Sequence, residues 1–339
     1  MSLFGFGRLI FRDQIVADPG TSQLRIGTPA DGSFVKKDLP AVSLWPSAAD
    51  PSLSSSEQDT FGSNAVFDGG AIRNHDGAIA VVRSALRELT GRTILKPRCI
   101  ISVPASSHAT DRIALRDLFE QAGCTRILLV EAPLAAAIGA GLNVVSATPS
   151  MVGVLGAAKS EFSIMANGGS LATAGSRNGW NSLLIACASQ HRIAQAQWPD
   201  SVEITRAIRM IFETDKSELP KTDSAPYEAI IAGIDSEIDR ILAPLFSVLD
   251  SVPASTKAII EDRGVTLTGG MSGNDYIVRR LSAKAGVRIL SAPNPRDCVF
   301  DGLATVGEMV ERDIALRVEN RLPAILKPSA TNPKTTDIP

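Results

Sequence analysis

The sequence has few aromatic residues and almost no net charge, and both scarcities limit what the chain can do. Aromatic residues make up 5% of the 339 residues, so Ala, Val, Ile and Leu must supply most of the core. The formal net charge is −2 and the body of the chain has no basic block, which leaves no electrostatic footprint for nucleic acid. No stretch approaches the ~20 consecutive apolar residues that a membrane-spanning helix requires.

Potential metal ligands and disulfide partners are also scarce. The chain has four cysteines and three histidines. No two cysteines are spaced as Cys-x-x-Cys, and no histidine is paired with another ligand at a spacing typical of a metal site. We therefore expect reduced thiols in or near the core and no metal site.

The first twelve residues alternate aromatic residues with arginines. The charges follow the apolar residues and no small-residue cleavage site comes after them, so the segment does not resemble a signal peptide. Two interpretations remain open. The segment is either a peripheral membrane contact or a first strand that packs on the body. The membrane contact would involve Phe4, Phe6, Arg8, Leu9 and Ile10.

Short apolar strands alternate with amphipathic helices along the chain, and the pattern starts twice. One strand–turn–strand unit turns near residue 18 and another near residue 156, and each is followed by further helices and strands. This alternation predicts an α/β fold with a largely parallel sheet. Two similar halves facing each other across a cleft are the simplest architecture.

Four segments resemble the bacterial MreB family of actin-like proteins. The run from Leu128 to Leu142 resembles the connecting segment of that family, and the strand Ile100–Pro104 before it fits as well. The run Val265–Gly270 resembles its adenosine-side glycine turn, and Asp297–Gly302 resembles its second connecting segment. The first of these runs is specific, whereas glycine pairs alone are weak signals.

The resemblance implies the two-lobed fold shared by actin, Hsp70 and sugar kinases, with a central cleft and reduced outer subdomains. The reduction is expected because the polar loop at 213–226 is shorter than the insertion usual in the family. The domain boundaries that follow are an N-terminal segment at 1–12, the first half of lobe I at 13–148, lobe II at 149–300, a C-terminal helix returning to lobe I at 301–320, and a disordered tail at 321–339.

The resemblance also implies a nucleotide cleft in which two glycine-rich hairpins hold the phosphates. An acidic residue from each hairpin holds water and magnesium, and a glutamate of the connecting segment positions the attacking water. The residues of this sequence that match the cleft are Asp18, Gly20, Thr21, Gly156, Lys159, Gly269, Gly270 and Gly302.

Several matched positions depart from the family pattern. Val154 stands where the second hairpin has its aspartate, and Ala157 and Ala158 replace two glycines whose lack of a side chain leaves room for phosphate. Ala132 stands at the position of the glutamate. Glu131 lies one residue earlier, and a one-residue shift at a strand end points the carboxylate the other way. We therefore expect no catalytic residue and no metal ligand, and no hydrolysis at a useful rate.

Lys159 suggests a more specific arrangement of the cleft. An ammonium from the second hairpin would pair with Asp18 of the first and take the place of magnesium or phosphate charge. The alternative is a solvated lysine on a turn.

The function expected from this resemblance is that of a cytoplasmic MreB paralogue without ATP hydrolysis. It would bind MreB or MreB-associated proteins in cell-shape or cell-wall organisation, with no required cofactor, and it would lie near the inner face of the membrane if its N-terminus binds lipid. ATP binding without hydrolysis remains one alternative. The others are an ATP-dependent filament former and a small-molecule kinase on the same superfold.

Overall fold

The computed structural model describes residues 14–30, 33–40, 66–90, 96–195 and 225–310. Several predictions fall outside these ranges. They concern the membrane contact at 1–12, most of the outer loop at 213–226, and the tail at 321–339. In the described residues, no helix combines the length and apolarity that are needed to cross a bilayer.

The first half of the chain forms a mixed five-stranded sheet and a small hairpin. Its strands are β1 (Gln14–Pro19), β2 (Gln23–Ala30), β3 (Ser33–Pro40), β4 (Phe67–Asp68), β5 (Ala71–Ile72), β6 (Arg98–Val103) and β7 (Thr125–Glu131). The sheet order is β3-β2-β1-β6-β7, and β4 pairs only with β5. The first three strands are antiparallel, whereas β1, β6 and β7 run parallel.

The second half repeats this topology. Its strands are β8 (Ser150–Leu155), β9 (Ser160–Ala166), β10 (Gly169–Ser176), β11 (Val265–Thr268) and β12 (Ile289–Ser291). They follow the order β10-β9-β8-β11-β12, with two antiparallel pairs and then two parallel ones. The repeat of strand order confirms the two-lobed α/β fold. The largely parallel sheet predicted from the sequence was wrong, because each lobe opens with antiparallel hairpins and two of the four strand pairs in each sheet are antiparallel.

Helices cover both sheets. They are α1 (His75–Thr90), α2 (Ala109–Ala122), α3 (Ala132–Gly139), α4 (Trp180–Gln195), α5 (Ala225–Asp250), α6 (Ala254–Arg263), α7 (Asp275–Ala285) and α8 over 298–310. The helices α1 and α2 bury their apolar faces on the first sheet to form lobe I. The helices α4, α5 and α7 do the same on the second sheet to form lobe II, to which α6 contributes Ile260. In α2 this face is Leu115, Leu118 and Phe119, at helical spacing.

A third core cluster joins the two lobes. It brings Val16 and Ile100 of the first sheet together with Val152 and Met165 of the second, and α3 and α8 pack between them. These two helices cross closely, because a Cβ added at Gly302 would overlap the carbonyl oxygen of Ala135. The helix pair forms the base of the cleft between the lobes.

Candidate functional site

A cleft of about 810 Å³ opens between the two lobes where the β1–β2 and β8–β9 hairpins face each other. Seven of the eight residues predicted from the resemblance line it, namely Asp18, Gly20, Thr21, Gly156, Lys159, Gly269 and Gly270. The two departures Val154 and Ala132 also line it. The carboxyl ends of β1, β6 and β8 meet here, which is where ligands bind in open α/β sheets.

Gly302 was wrongly assigned to the cleft. It lies in α8 and is absent from the cleft lining. A side chain there would overlap the backbone of Ala135 in α3. A glycine is needed at this position because two helix backbones approach each other closely, and not because a ligand approaches.

Asp18 is held within lobe I by two partners. The Ser102 hydroxyl donates a hydrogen bond to one carboxylate oxygen at 2.6 Å, and the Arg25 guanidinium contacts the other at 3.3 Å. The Asp18 and Arg25 side chains are only 14% and 11% exposed. Arg25 also lies 3.5 Å from Asp297, which belongs to the loop between β12 and α8. One guanidinium therefore contacts two acids of the cleft.

The predicted pairing of Lys159 with Asp18 was wrong. Lys159 instead contacts Glu161, which lies two residues later in the same hairpin, at 3.4 Å. The pairing failed because each charge has a nearer partner within its own lobe. Asp18 faces Arg25 directly across the β1–β2 ladder, and Lys159 immediately precedes the strand that carries Glu161.

The rest of the first hairpin is tied to lobe I. The Thr21 hydroxyl accepts a hydrogen bond of 2.9 Å from the Gly69 amide, in the turn between β4 and β5. The Gly20 amide donates to the Asp18 carbonyl at 3.0 Å. The Gly20 amide is therefore already engaged within the hairpin, and so is the Thr21 hydroxyl.

The second hairpin is closed on itself and on α4. The Gly156 amide donates to the Lys159 carbonyl at 2.8 Å. The carbonyls of Gly156 and Ala157 accept the amides of Trp180 and Asn181, at 3.1 and 2.8 Å. The first turn of α4 thus has hydrogen-bond partners that would otherwise come from solvent or a ligand.

The start of α3 carries no acid that points into the cleft. Ala132 is its first residue and lines the cleft with a methyl group. Glu131 is absent from the lining, and its carboxylate pairs with Arg112 of α2 at 3.1 Å. The one-residue shift therefore directs Glu131 away from the cleft, as the strand geometry predicted.

The glycine turn after β11 has two different members. Gly269 has φ +90°, a conformation that side chains disfavour, and it packs on the backbone of Leu155. Gly270 has no atom within 4 Å of an added Cβ, so it faces open space in the cleft. This side of the cleft has room that the hairpin side lacks.

This cleft lacks some of the side-chain oxygens that a magnesium–triphosphate site needs. The Val154 side chain has no oxygen that could bind a metal ion, and the Asp18 carboxylate already has two partners. In the part of the chain that the structure describes, no three His, Cys, Asp or Glu side chains are grouped as metal ligands. The residues present do not fit a magnesium ion held between the two hairpins.

All four cysteines are buried, and none of them is in a disulfide. Burial raises the pKa of the Cys187 thiol to about 12. Burial, with help from nearby Asp301 and Asp297, raises the pKa of Cys298 to about 11. Burial and the neighbouring Cys124 thiol also raise the pKa of Cys99. Such thiols are poor nucleophiles, so none is a candidate catalytic group.

The fold and the cleft define an actin-like protein. The chain belongs to the MreB/Mbl family, because the family model for the MreB/Mbl protein matches residues 65–183 and 188–315. This confirms the resemblance seen in the sequence.

Individual relatives agree with the family match. The cell shape-determining protein MreB of Escherichia coli K12 is 27% identical over 233 residues, which cover 63% of this chain and 66% of that protein, just under two thirds of its length. The cell shape-determining protein Mbl of Bacillus cereus is 24% identical over 261 residues, covering 72% and 78%. The crystal structure of Spiroplasma citri MreB5 bound to AMPPNP superposes with a TM-score of 0.71 at 15% identity, over 89% of this chain and 98% of that one.

Two cleft residues were missed in the sequence, Arg25 and Glu161. Arg25 could have been found from the hairpin, because a turn centred between residues 21 and 22 places it opposite Asp18. Glu161 could have been found as a single charge in an otherwise apolar strand, Ser160–Ala166, that is buried throughout. A buried charge generally requires a partner, and so identifies a specific contact.

Proposed function

We propose that this chain is an MreB-family protein that does not hydrolyse ATP and acts by binding other proteins in cell-shape or cell-wall organisation. The observation that carries the proposal is the cleft itself. Apolar Val154 and Ala132 occupy the two positions where the family resemblance implies acids, and Asp18 is neutralised by Arg25.

Hydrolysis requires groups that these positions do not supply. The barrier to phosphoryl transfer is lowered by positioning and by charge neutralisation, usually with metal ions. A positioned acid or base alone contributes roughly 10²–10⁴-fold in rate. Ala132 cannot orient a water molecule, and Glu131 is engaged by Arg112. With both acids replaced, we expect turnover to fall to the level of the uncatalysed reaction.

Nucleotide binding is a separate question from hydrolysis, and we propose that no cofactor is required. Ala157 and Ala158 narrow the phosphate side, where the hairpin carbonyls already bind the start of α4. Gly270 faces open space in the cleft. This space supports a mode of binding in which the base of a nucleotide is held and its phosphates are not.

The partner we propose is MreB or an MreB-associated protein. The described residues keep both actin-like lobes and the core that joins them, although Val154 and Ala132 line the cleft in place of acids. This combination is expected if the protein acts through its surface and not through cleft chemistry. The relatives are named as cell shape-determining proteins, which supports the same process. We place the protein in the cytoplasm, with peripheral membrane contact through Phe4, Phe6, Arg8, Leu9 and Ile10, residues outside the described ranges.

Two assays on purified protein test this function. Phosphate release from magnesium-ATP should equal the no-protein blank, with MreB from the same bacterium as the positive control. The chain should then sediment with MreB filaments and stay in the supernatant alone. Phosphate release at the MreB rate, together with sedimentation of the chain alone on adding ATP, would instead support an ATP-dependent filament former.

A further inference from the structure

A buried carboxylate bridges the two lobes above the cleft. Glu161 lies in β9 of lobe II and is 3% exposed. Its partners are in lobe I, in the segment between β6 and α2. The Ala105 amide donates to one oxygen at 3.2 Å and the Ser106 amide to the other at 3.0 Å. The Ser106 hydroxyl donates a third, short hydrogen bond.

This bridge has the features of a strong contact. Hydrogen bonds to an ionised carboxylate are roughly twice as strong as neutral ones. Lys159 supplies the counter-charge at 3.4 Å, and its side chain is itself only 17% exposed. Opening the lobes would break all three hydrogen bonds to Glu161 at once, and the loss of these charge-assisted contacts opposes opening.

A second group of contacts crosses the cleft from β2 to the loop before α8. Arg25 of lobe I lies 3.5 Å from Asp297, and Arg296 of that loop donates a short hydrogen bond to the Gln23 amide oxygen. Both contacts join lobe I to the segment that follows the second sheet. Both are direct contacts between side chains.

We propose that Glu161, together with the amides of Ala105 and Ser106, forms a latch that holds the lobes closed without any ligand in the cleft. The contact from Arg25 to Asp297 assists it. The closed arrangement is then a constant property of the chain and does not depend on nucleotide. This inference does not depend on the proposed function, since a latched protein could either bind partners or fail to do so.

A designed disulfide reports closure directly. An ideal Cβ built at Gly175 of β10 lies 2.8 Å from the Ser106 hydroxyl oxygen and 3.0 Å from the Glu161 Cγ. Cysteines at positions 106 and 175 therefore come within disulfide distance only when the lobes are closed, although the variant loses the hydroxyl hydrogen bond to Glu161. The native thiols are buried and add little background. In the Ser106→Cys/Gly175→Cys variant we expect cross-linking by a mild oxidant at the same rate with and without magnesium-ATP. Cross-linking that requires ATP would overturn the proposal.

Amide exchange tests the role of Glu161 with a matched control. Glu161→Gln keeps the side-chain shape but loses the charge. It also places the NH2 group of the glutamine, a donor, opposite the N–H and O–H donors of Ala105 and Ser106. We expect hydrogen exchange at the Ala105 and Ser106 amides to rise roughly tenfold, equivalent to about 1.4 kcal/mol of opening free energy. The control is Glu237→Gln, because Glu237 is a fully buried glutamate of lobe II whose hydrogen bonds stay within that lobe.

The latch predicts that the control leaves exchange at these two amides unchanged. Equal rates in Glu161→Gln and the unmodified protein would overturn the proposal. So would an equal rise in both variants, because that would show general loosening of lobe II. If Glu161→Gln fails to fold, the disulfide comparison still decides, because that variant keeps Glu161 and its two backbone amide donors, Ala105 and Ser106.

Discussion

Removing the charge of Arg25 tests whether the cleft neutralises its own acids. Arg25→Met retains the apolar stem but leaves Asp18, which is 14% exposed, and Asp297, which is 32% exposed, without this cation. Breaking a fully buried ion pair costs about 3–5 kcal/mol. An exposed pair contributes at most about 1 kcal/mol. Because Asp18 and Arg25 lie between these limits but nearer the buried one, we expect Arg25→Met to lower the free energy of unfolding by about 2 kcal/mol.

A double-mutant cycle isolates the contribution of the pair. Asp18→Asn removes the charge, and its amide oxygen can still accept the hydrogen bond from Ser102. If the charges interact as the geometry indicates, the double variant should lose less unfolding free energy than the two single variants lose together, by about 1 kcal/mol or more. Urea unfolding of all four proteins, followed by circular dichroism, gives this coupling energy. Losses that add to within about 0.3–0.5 kcal/mol would refute the reasoning.

Two further predictions concern the helix crossing and the thiols. Gly302→Ala should destabilise the protein by about 2 kcal/mol, because its methyl group overlaps the Ala135 carbonyl. Gly270→Ala, which has open space, should change thermal stability by less than about 0.5 kcal/mol, and equal shifts in both would contradict the packing argument. The raised pKa values of Cys187 and Cys298 predict that a thiol reagent at about pH 8 labels the native protein slowly. In denaturant the same reagent should label all four cysteines. Fast labelling of the native protein would contradict the burial.

Regular elements were predictable wherever periodicity was strong. Apolar residues at helical spacing predict a helix over 110–122, and short apolar runs predict strands at 99–103 and 126–130. The structure has all three elements within a residue or two of these bounds. Helix α6 was missed because only Ile260 is buried along it, so its sequence has no amphipathic period. Strands β4 and β5 have two residues each, too few to show any alternation.

The location of the candidate site could be predicted from the sequence, but the side-chain contacts within it could not. The family resemblance located both hairpins, and the structure places Val154 and Ala132 in the cleft lining, because these positions depend on local sequence. It misassigned Gly302, whose role depends on a helix distant in sequence. It also paired Lys159 with the wrong acid. Side-chain partners across a cleft depend on the distances between lobes, and a linear sequence does not contain them.

Calorimetric titration of the purified protein with magnesium-ATP tests the central claim most directly, since that claim is a cleft whose charges are satisfied from within. MreB from the same bacterium serves as the control. The account predicts no binding heat up to about 1 mM ligand, equivalent to a binding free energy weaker than about −4 kcal/mol. Binding of magnesium-ATP with a Kd of about 1 µM, about −8 kcal/mol, would contradict it.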